Sequence, residues 1–194
     1  MNINTFPTKG NLIASKNSLA LARQGYGLMD KKRNILIREL MGLIDEAKEI
    51  QKQIDTTFGA AYKALMYANI ELGIDFVSDV AGSVPVEDSI QIKTRSVMGT
   101  EIPLVRFDDS PMEPTYAYYA TRESLDKARE CFNEVKRLTV RLSMIENSAY
   151  RLARNIKKTQ KRANALKNIT IPTYENLTKN ITNALEEKDR EEFT

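Results

Sequence analysis

Ten cations in two clusters are the residues of this 194-residue chain best placed to do chemistry. Arg151, Arg154, Lys157, Lys158, Lys161, Arg162 and Lys167 fall between Asn147 and Tyr174, a stretch without a single acid, and Lys31, Lys32 and Arg33 form a compact second group. On a helix, spacings of three and four residues put most of the first group along one side. Such a surface attracts carboxylates or phosphates and repels its own kind. It fits a solvated helix face, a nucleic-acid site or a contact with an acidic protein surface. The chain as a whole is balanced, 29 basic against 26 acidic residues for a net +3, so the basic character is local.

Other chemistries lack their parts. Without any histidine there is no imidazole base, no triad partner for a serine or cysteine nucleophile, and no usual zinc or haem ligand. A single cysteine, Cys131, forms no internal disulfide and no cysteine metal cluster, and it fits a reducing compartment, with cytoplasm the expectation. Gly25-Tyr26-Gly27 lacks the later glycine and the preceding strand of a phosphate-binding loop. The polar N-terminus has no apolar signal core, and no run of about 18 apolar residues exists to span a bilayer. We expect no catalytic residues, no cofactor and no metal, and a chain that works by gripping protein partners.

The elements that must position the cations are helices. From Leu12 through Leu19, Ala22, Tyr26, Met29, Leu36, Leu40, Leu43, Ala47, Ile50, Ile54, Ala61 and Ala64, apolar residues recur every three and four positions, interrupted by Ser15, Arg33 and Thr57. Near Phe58 the seam is expected to drift by one residue through Leu65 and Leu72. No proline breaks Gly10 to Gly73, so one helix of about 60 residues, roughly 90 Å, is predicted, with Gly73 as its stop. A second seam runs Ala128, Cys131, Val135, Leu138, Leu142, Ile145, Ala149, Leu152, Ile156, Thr159, Ala163, Leu166. It resumes at Leu177, Ile181 and Leu185, beyond a bend expected at Pro172.

The sequence thus divides into an N-terminal long helix, 1–73; an insert, 74–114; and a C-terminal long helix, 115–194, kinked near Pro172. The insert holds four of the six prolines, and its β-prone runs at 89–97 and 100–107 flank Met98-Gly99, a β-hairpin signal with Pro103 on an edge. The fold class is mainly α, a long antiparallel two-helix coiled coil with a small central insert.

If the two helices pair with each other, positions whose numbers sum to roughly 190 face one another. Asp45, Glu46, Glu49 and Asp55 then oppose Lys136, Arg137 and Arg141, which favours this register, although a parallel homodimer also satisfies both seams. The same register sets the basic belt against Arg23, Lys31, Lys32, Arg33 and Arg38. That repulsion argues for an acidic surface supplied by a partner. Gly25, Gly27, Gly42 and Gly59 each cost the first helix about 1 kcal/mol relative to alanine, either to admit a close partner or because packing tolerates them.

Several stretches, in this order and at this spacing, resemble the D subunit of the V-type (vacuolar, archaeal and bacterial) ATPases. They are Phe6-Pro7-Thr8-Lys9, Leu21-Ala22 to Gly25, Leu28-Met29-Asp30-Lys31-Lys32-Arg33, Ser96-Val97-Met98-Gly99 with Ile102-Pro103, Arg162-Ala163-Asn164-Ala165-Leu166, Ile171-Pro172, and Glu187 to Phe193. The resemblance implies a non-catalytic central rotor shaft, peripheral to the membrane in the soluble sector. Its paired helices would reach into a ring of catalytic A and non-catalytic B subunits, which hydrolyses the ATP. The small F subunit would bind the side of the coiled coil, and a funnel-like subunit would link it to the membrane ring. The hairpin residues Ser96, Val97, Met98, Gly99, Ile102 and Pro103 would stimulate the ring's ATPase, and the basic belt would face the ring. Two features depart from the pattern: Asp30, where a basic or apolar residue is expected, and the stop at Thr194, where relatives usually continue with a basic helical tail, as a truncated chain would. Outside the resemblance, the same seams and belt would serve a coiled-coil scaffold or a nucleic-acid-binding protein.

Overall fold

The computed structural model describes residues 6–107 and 116–192. Helix α1, Lys9–Leu72, opens on a side-chain cap in which Thr8 Oγ1 accepts the Asn11 N–H at 3.2 Å. It stops where the sequence predicts. Gly73 takes φ +89, a conformation that side-chain-bearing residues rarely adopt, and the short helix α2, Ile74–Gly82, starts immediately after it. Strands β1, Gln91–Val97, and β2, Thr100–Arg106, pair antiparallel with Val97 opposite Thr100. Met98 (φ +49) and Gly99 (φ +74) make a two-residue turn with both φ angles positive, the type whose twist matches the strands. A 3-10 turn at Tyr118–Ala120 leads into α3, Glu123–Ala165. The second long helix therefore begins at Glu123, later than the expected 115–121.

Pro172 acts one turn ahead of itself. Residues Leu166–Thr170 form a π turn between α3 and α4, Ile171–Glu192, with the Ile171 N–H donating to the Leu166 carbonyl five residues back. A proline at 172 has no N–H for the carbonyl of Asn168, and its ring crowds that carbonyl. Widening the turn by one residue is the local solution, and the hydroxyls of Thr170 and Thr173 reach the carbonyls of Ala165 and Ile169 at 3.4 and 2.7 Å.

The chain packs as two compact units, 1–38 with 153–194 and 39–152, so each unit combines a piece of α1 with a piece of the later helices. In the first, Ser15, Ala22 and Leu36 of α1 and Thr159, Ala163 and Ile181 of the later helices are buried. These are seam positions. In the second, Ile50, Leu138 and Ile145 form the centre of the helix pair, with Leu43, Ala47 and Leu142 around them. Fully burying side chains of this size is worth about 1.5–3 kcal/mol each. The α1 seam keeps its heptad spacing to the end of the helix through Ala61, Ala64 and Ala68, without the expected drift. Leu65 and Leu72 instead close the edge of a small cluster in which Ala68 meets Val77 of α2 and Leu125 of α3. At Ala68 a small side chain suffices because Val77 of α2 supplies bulk beside it.

Candidate partner-binding surfaces

Arg154, Lys157, Lys158, Lys161, Arg162 and Lys167 all lie in the first unit and all are exposed. Lys167 reaches over the ring of Tyr26, 6.0 Å from its centroid, and this cation–π contact ties the belt to α1. On α1, Lys31 is exposed and Lys32 half-buried. One turn to either side of that pair sit Leu28 and Ile35, large apolar residues that are also exposed, so this part of the face mixes cations with apolar side chains.

Arg33 is spent on the fold. Its guanidinium pairs with Asp30 at 2.6 Å and donates to Gln160 Oε1 at 2.9 Å. Asp30, the departure from the family pattern, is the counter-charge that lets Arg33 occupy a seam position. The expected clash of two basic faces is thereby relieved at Arg33: opposite it stands the Gln160 amide, which donates in turn to Asn164 Oδ1 at 2.9 Å.

The first unit carries 16 basic and 7 acidic residues, a net +9; the second carries 13 and 19, a net −6, and together they give the chain's +3. Five of the first unit's acids cluster at 186–192. The other two, Asp30 and Glu175, are taken by Arg33 at 2.6 Å and Arg23 at 2.7 Å. The field of this unit is strongly positive over the belt.

Arg151 lies in the second unit, apart from the rest of the belt residues. Its guanidinium donates to the carbonyl of Glu101 at 3.3 Å and so holds β2 on α3. Met144 Sδ accepts the Val105 N–H at 3.3 Å, and Ser148 Oγ approaches the Pro103 carbonyl at 3.5 Å, so residues 144, 148 and 151 form one docking line. Arg95 of β1 pairs with Glu39 of α1 at 2.6 Å. Nothing in the seam pattern announces this line; its one signal is Ser148, a small polar residue that is buried because a strand covers it. The six hairpin residues divide accordingly. Ile102 is 3% exposed and anchors the hairpin, Val97 and Pro103 are half-buried, and Ser96, Met98 and Gly99 form the exposed tip.

Of the acid–base pairs expected across the second unit, Arg141 meets Glu46 at 2.7 Å, residue numbers close to the expected register. Lys136 turns elsewhere, to Glu87 in the segment between α2 and β1 at 2.8 Å, and Arg137 pairs with Glu134 on its own helix. The Lys136 ammonium, with the Ser89 hydroxyl and N–H, pulls the Glu87 carboxyl down to about 2. At the start of α3, burial and a 2.5 Å hydrogen bond to Asp126 push the Tyr116 hydroxyl up to about 12, with Arg129 lying over the ring. Among the described residues no cluster of cysteine and acidic side chains is arranged to hold a metal ion, and no helix is long and apolar enough to cross a membrane.

Two long helices paired in opposite directions, with a docked hairpin in the connection, define an α-helical hairpin protein. The comparisons with known proteins make this particular. A family model described as the D subunit of ATP synthase matches residues 11–194. The V-type ATP synthase D subunit of Thermotoga neapolitana is 45% identical over 187 residues, covering 96% of this chain and 92% of that protein. The A-type ATP synthase D subunit of Pyrococcus furiosus is 35% identical over 190 residues (96% and 89%), and that of Thermococcus gammatolerans 36% over 194 residues (98% and 91%). The chain belongs to the family of ATP synthase D subunits.

Proposed function

We propose that this protein is the central shaft of a V-type rotary ATPase: a component without catalysis of its own that couples ATP hydrolysis or synthesis in an A/B ring to rotation of the membrane ion-translocating rotor. The observation that carries this reading is the charge of the first unit. Apart from the terminal acidic run, its two acids are already paired with arginines, which leaves a face of cations with no counter-charge from its own unit. Like charges this close destabilise an isolated helix pair by a few tenths of a kcal/mol per neighbouring pair. They become favourable against acidic walls.

In this reading Arg154, Lys157, Lys158, Lys161, Arg162, Lys167, Lys31 and Lys32 engage acidic side chains around the ring in turn. Solvated charge pairs are individually weak, so such contacts can slide. The F subunit and a funnel-like subunit complete the assembly, and the hairpin tip at Ser96, Met98 and Gly99 is the part presented to stimulate the ring. The sector is peripheral to the membrane.

The test is reconstitution of the full chain with the A/B ring and the F subunit, following complex formation and ATP-driven rotation. Entry of one copy into the ring is expected, with association that weakens steeply as salt rises. Changing Lys157, Lys158, Lys161 and Arg162 together to glutamate is expected to weaken ring binding at least tenfold and impair coupling. Unchanged rotation in that variant sinks the assignment of the belt, and failure of the native chain to enter the ring sinks the shaft.

A further inference from the structure

At one level of the first unit both helices are thinly held. Between Ala22 and Leu36 on α1, and between Ala163 and Ile181 on the later helices, no side chain is buried. These two stretches face each other. A Cβ on Gly25 would lie 3.7 Å from Leu166 Cδ1, and Lys167 reaches over the ring of Tyr26.

Each helix is also soft in its backbone at this level. The π turn, Leu166–Thr170, contains no buried residue, and Ile169 within it is 66% exposed. Across from it α1 carries Gly25 and Gly27, which weaken a helix by leaving its backbone free to move. Neither glycine is demanded by space or conformation. At Gly25 a Cβ would make an ordinary contact, at Gly27 it would meet nothing within 4 Å, and neither residue has a positive φ. What the pair supplies is backbone freedom.

The seam shows why the turn is widened. On α1 the buried residues Ser15, Ala22 and Leu36 keep whole heptads. On the later helices Ile181 lies 22 residues beyond Thr159, one more than three heptads. The later helix therefore carries one residue too many for the seam, and the π turn absorbs it. Bending there leaves few groups stranded, because the hydroxyls of Thr170 and Thr173 already hold the carbonyls of Ala165 and Ile169.

We propose that residues 23–30 of α1 and 164–172 of the later helices form a joint, a level at which this helix pair bends and twists more readily than on either side of it. The inference goes beyond the shaft reading and does not depend on it. The joint is a property of the chain alone, and the measurement that tests it needs no ring.

That measurement is amide hydrogen exchange on the full chain, resolved along both helices. Amides in 164–171 are expected to exchange about tenfold faster than those in 154–162 and 174–182, with a matching rise in 24–30 over 16–22. Two variants separate a joint from a turn that frays by itself. Gly25→Ala with Gly27→Ala stiffens α1 alone, and is expected to slow exchange across the seam in 164–171 by about threefold or more. Deletion of Asn168 together with Pro172→Ala removes the extra residue and the proline. It is expected to bring both stretches within about twofold of their flanks and to leave Ile181 protected. Should that variant lose helical circular dichroism, Pro172→Ala alone serves, with about threefold slowing in 164–171 expected. Uniform exchange along the native helices overturns the proposal. So does a glycine variant that leaves 164–171 unchanged, or a deletion or proline variant that exchanges there as fast as the native chain.

Discussion

The two compact units are cut from the same helices yet solve different problems. In the first, 1–38 with 153–194, the seam is buried and the outside is left cationic, with its two non-terminal acids consumed by Arg33 and Arg23. In the second, 39–152, the same helices gain α2 and the hairpin, the charge turns acidic, and polar links such as Arg95–Glu39 and Lys136–Glu87 tie the insert down. A pair of helices with no insert has only its seam to hold it and a wide surface to offer. A thickened unit can leave an apolar helix face uncovered, because other contacts already fix that helix.

Deleting core volume should break this comparison most strongly. Leu36 is completely buried in the first unit, and Leu36→Ala is expected to cost about 2–5 kcal/mol in urea unfolding followed by circular dichroism. Amide exchange should rise across 9–38 and 153–192 and leave the hairpin protected. An equal rise in both units would show that they open as one.

Salt should separate the units next. Raising ionic strength from about 0.1 to about 1 M shortens the screening length from about 10 to about 3 Å. The first unit should gain on the order of 1 kcal/mol from its many like-charge neighbours while the second gains nothing, read as slower exchange confined to the basic unit. Gly27 and Gly42, one in each unit, have nothing within 4 Å of where a Cβ would lie. Alanine at either position is expected to add about 0.4–1 kcal/mol in thermal unfolding. A stabilised Gly27→Ala chain that enters the ring less well would mean that this glycine is kept for close approach by a partner; undiminished entry would mean that packing merely tolerates it.

The smallest effect is local to the insert. Because the Glu87 carboxyl lies at about 2 in the folded protein, below its ordinary value near 4.5, its contribution is fully present above 4.5 and disappears as pH falls through about 2. Glu87→Gln should speed exchange in residues 84–90 at pH 6, with the difference from the native chain gone near pH 2.

Much of this architecture is legible in the residues. A repeat of three and four apolar positions can be satisfied only by a helix with one covered stripe, and Leu36, Ile50, Ile145, Leu152 and Ala163 are buried where that repeat puts them. Gly73 and Met98-Gly99 stop or turn the chain where they stand because backbone preference is local. The acid-free stretch likewise identifies a cationic face without any structure. The π turn is only half legible: Pro172 announces trouble, but which carbonyls yield depends on the turn before it.

What tertiary structure decided are the pairings between residues far apart in the chain. Arg151 is in sequence a member of the belt, and in the fold it is a hairpin clamp on the Glu101 carbonyl. Arg33 is in sequence both a cation of the second cluster and an interruption of the apolar seam, and in the fold it is neutralised by Asp30 and received by Gln160. Whether Tyr62, Met66 and Ile70 face a core or water cannot be read from their spacing, since either side of an all-apolar helix could be the covered one. Periodicity fixes which residues share a face, because that follows from the geometry of one helix. Which face meets which neighbour follows from how separate elements pack, and that is a property of the assembled chain.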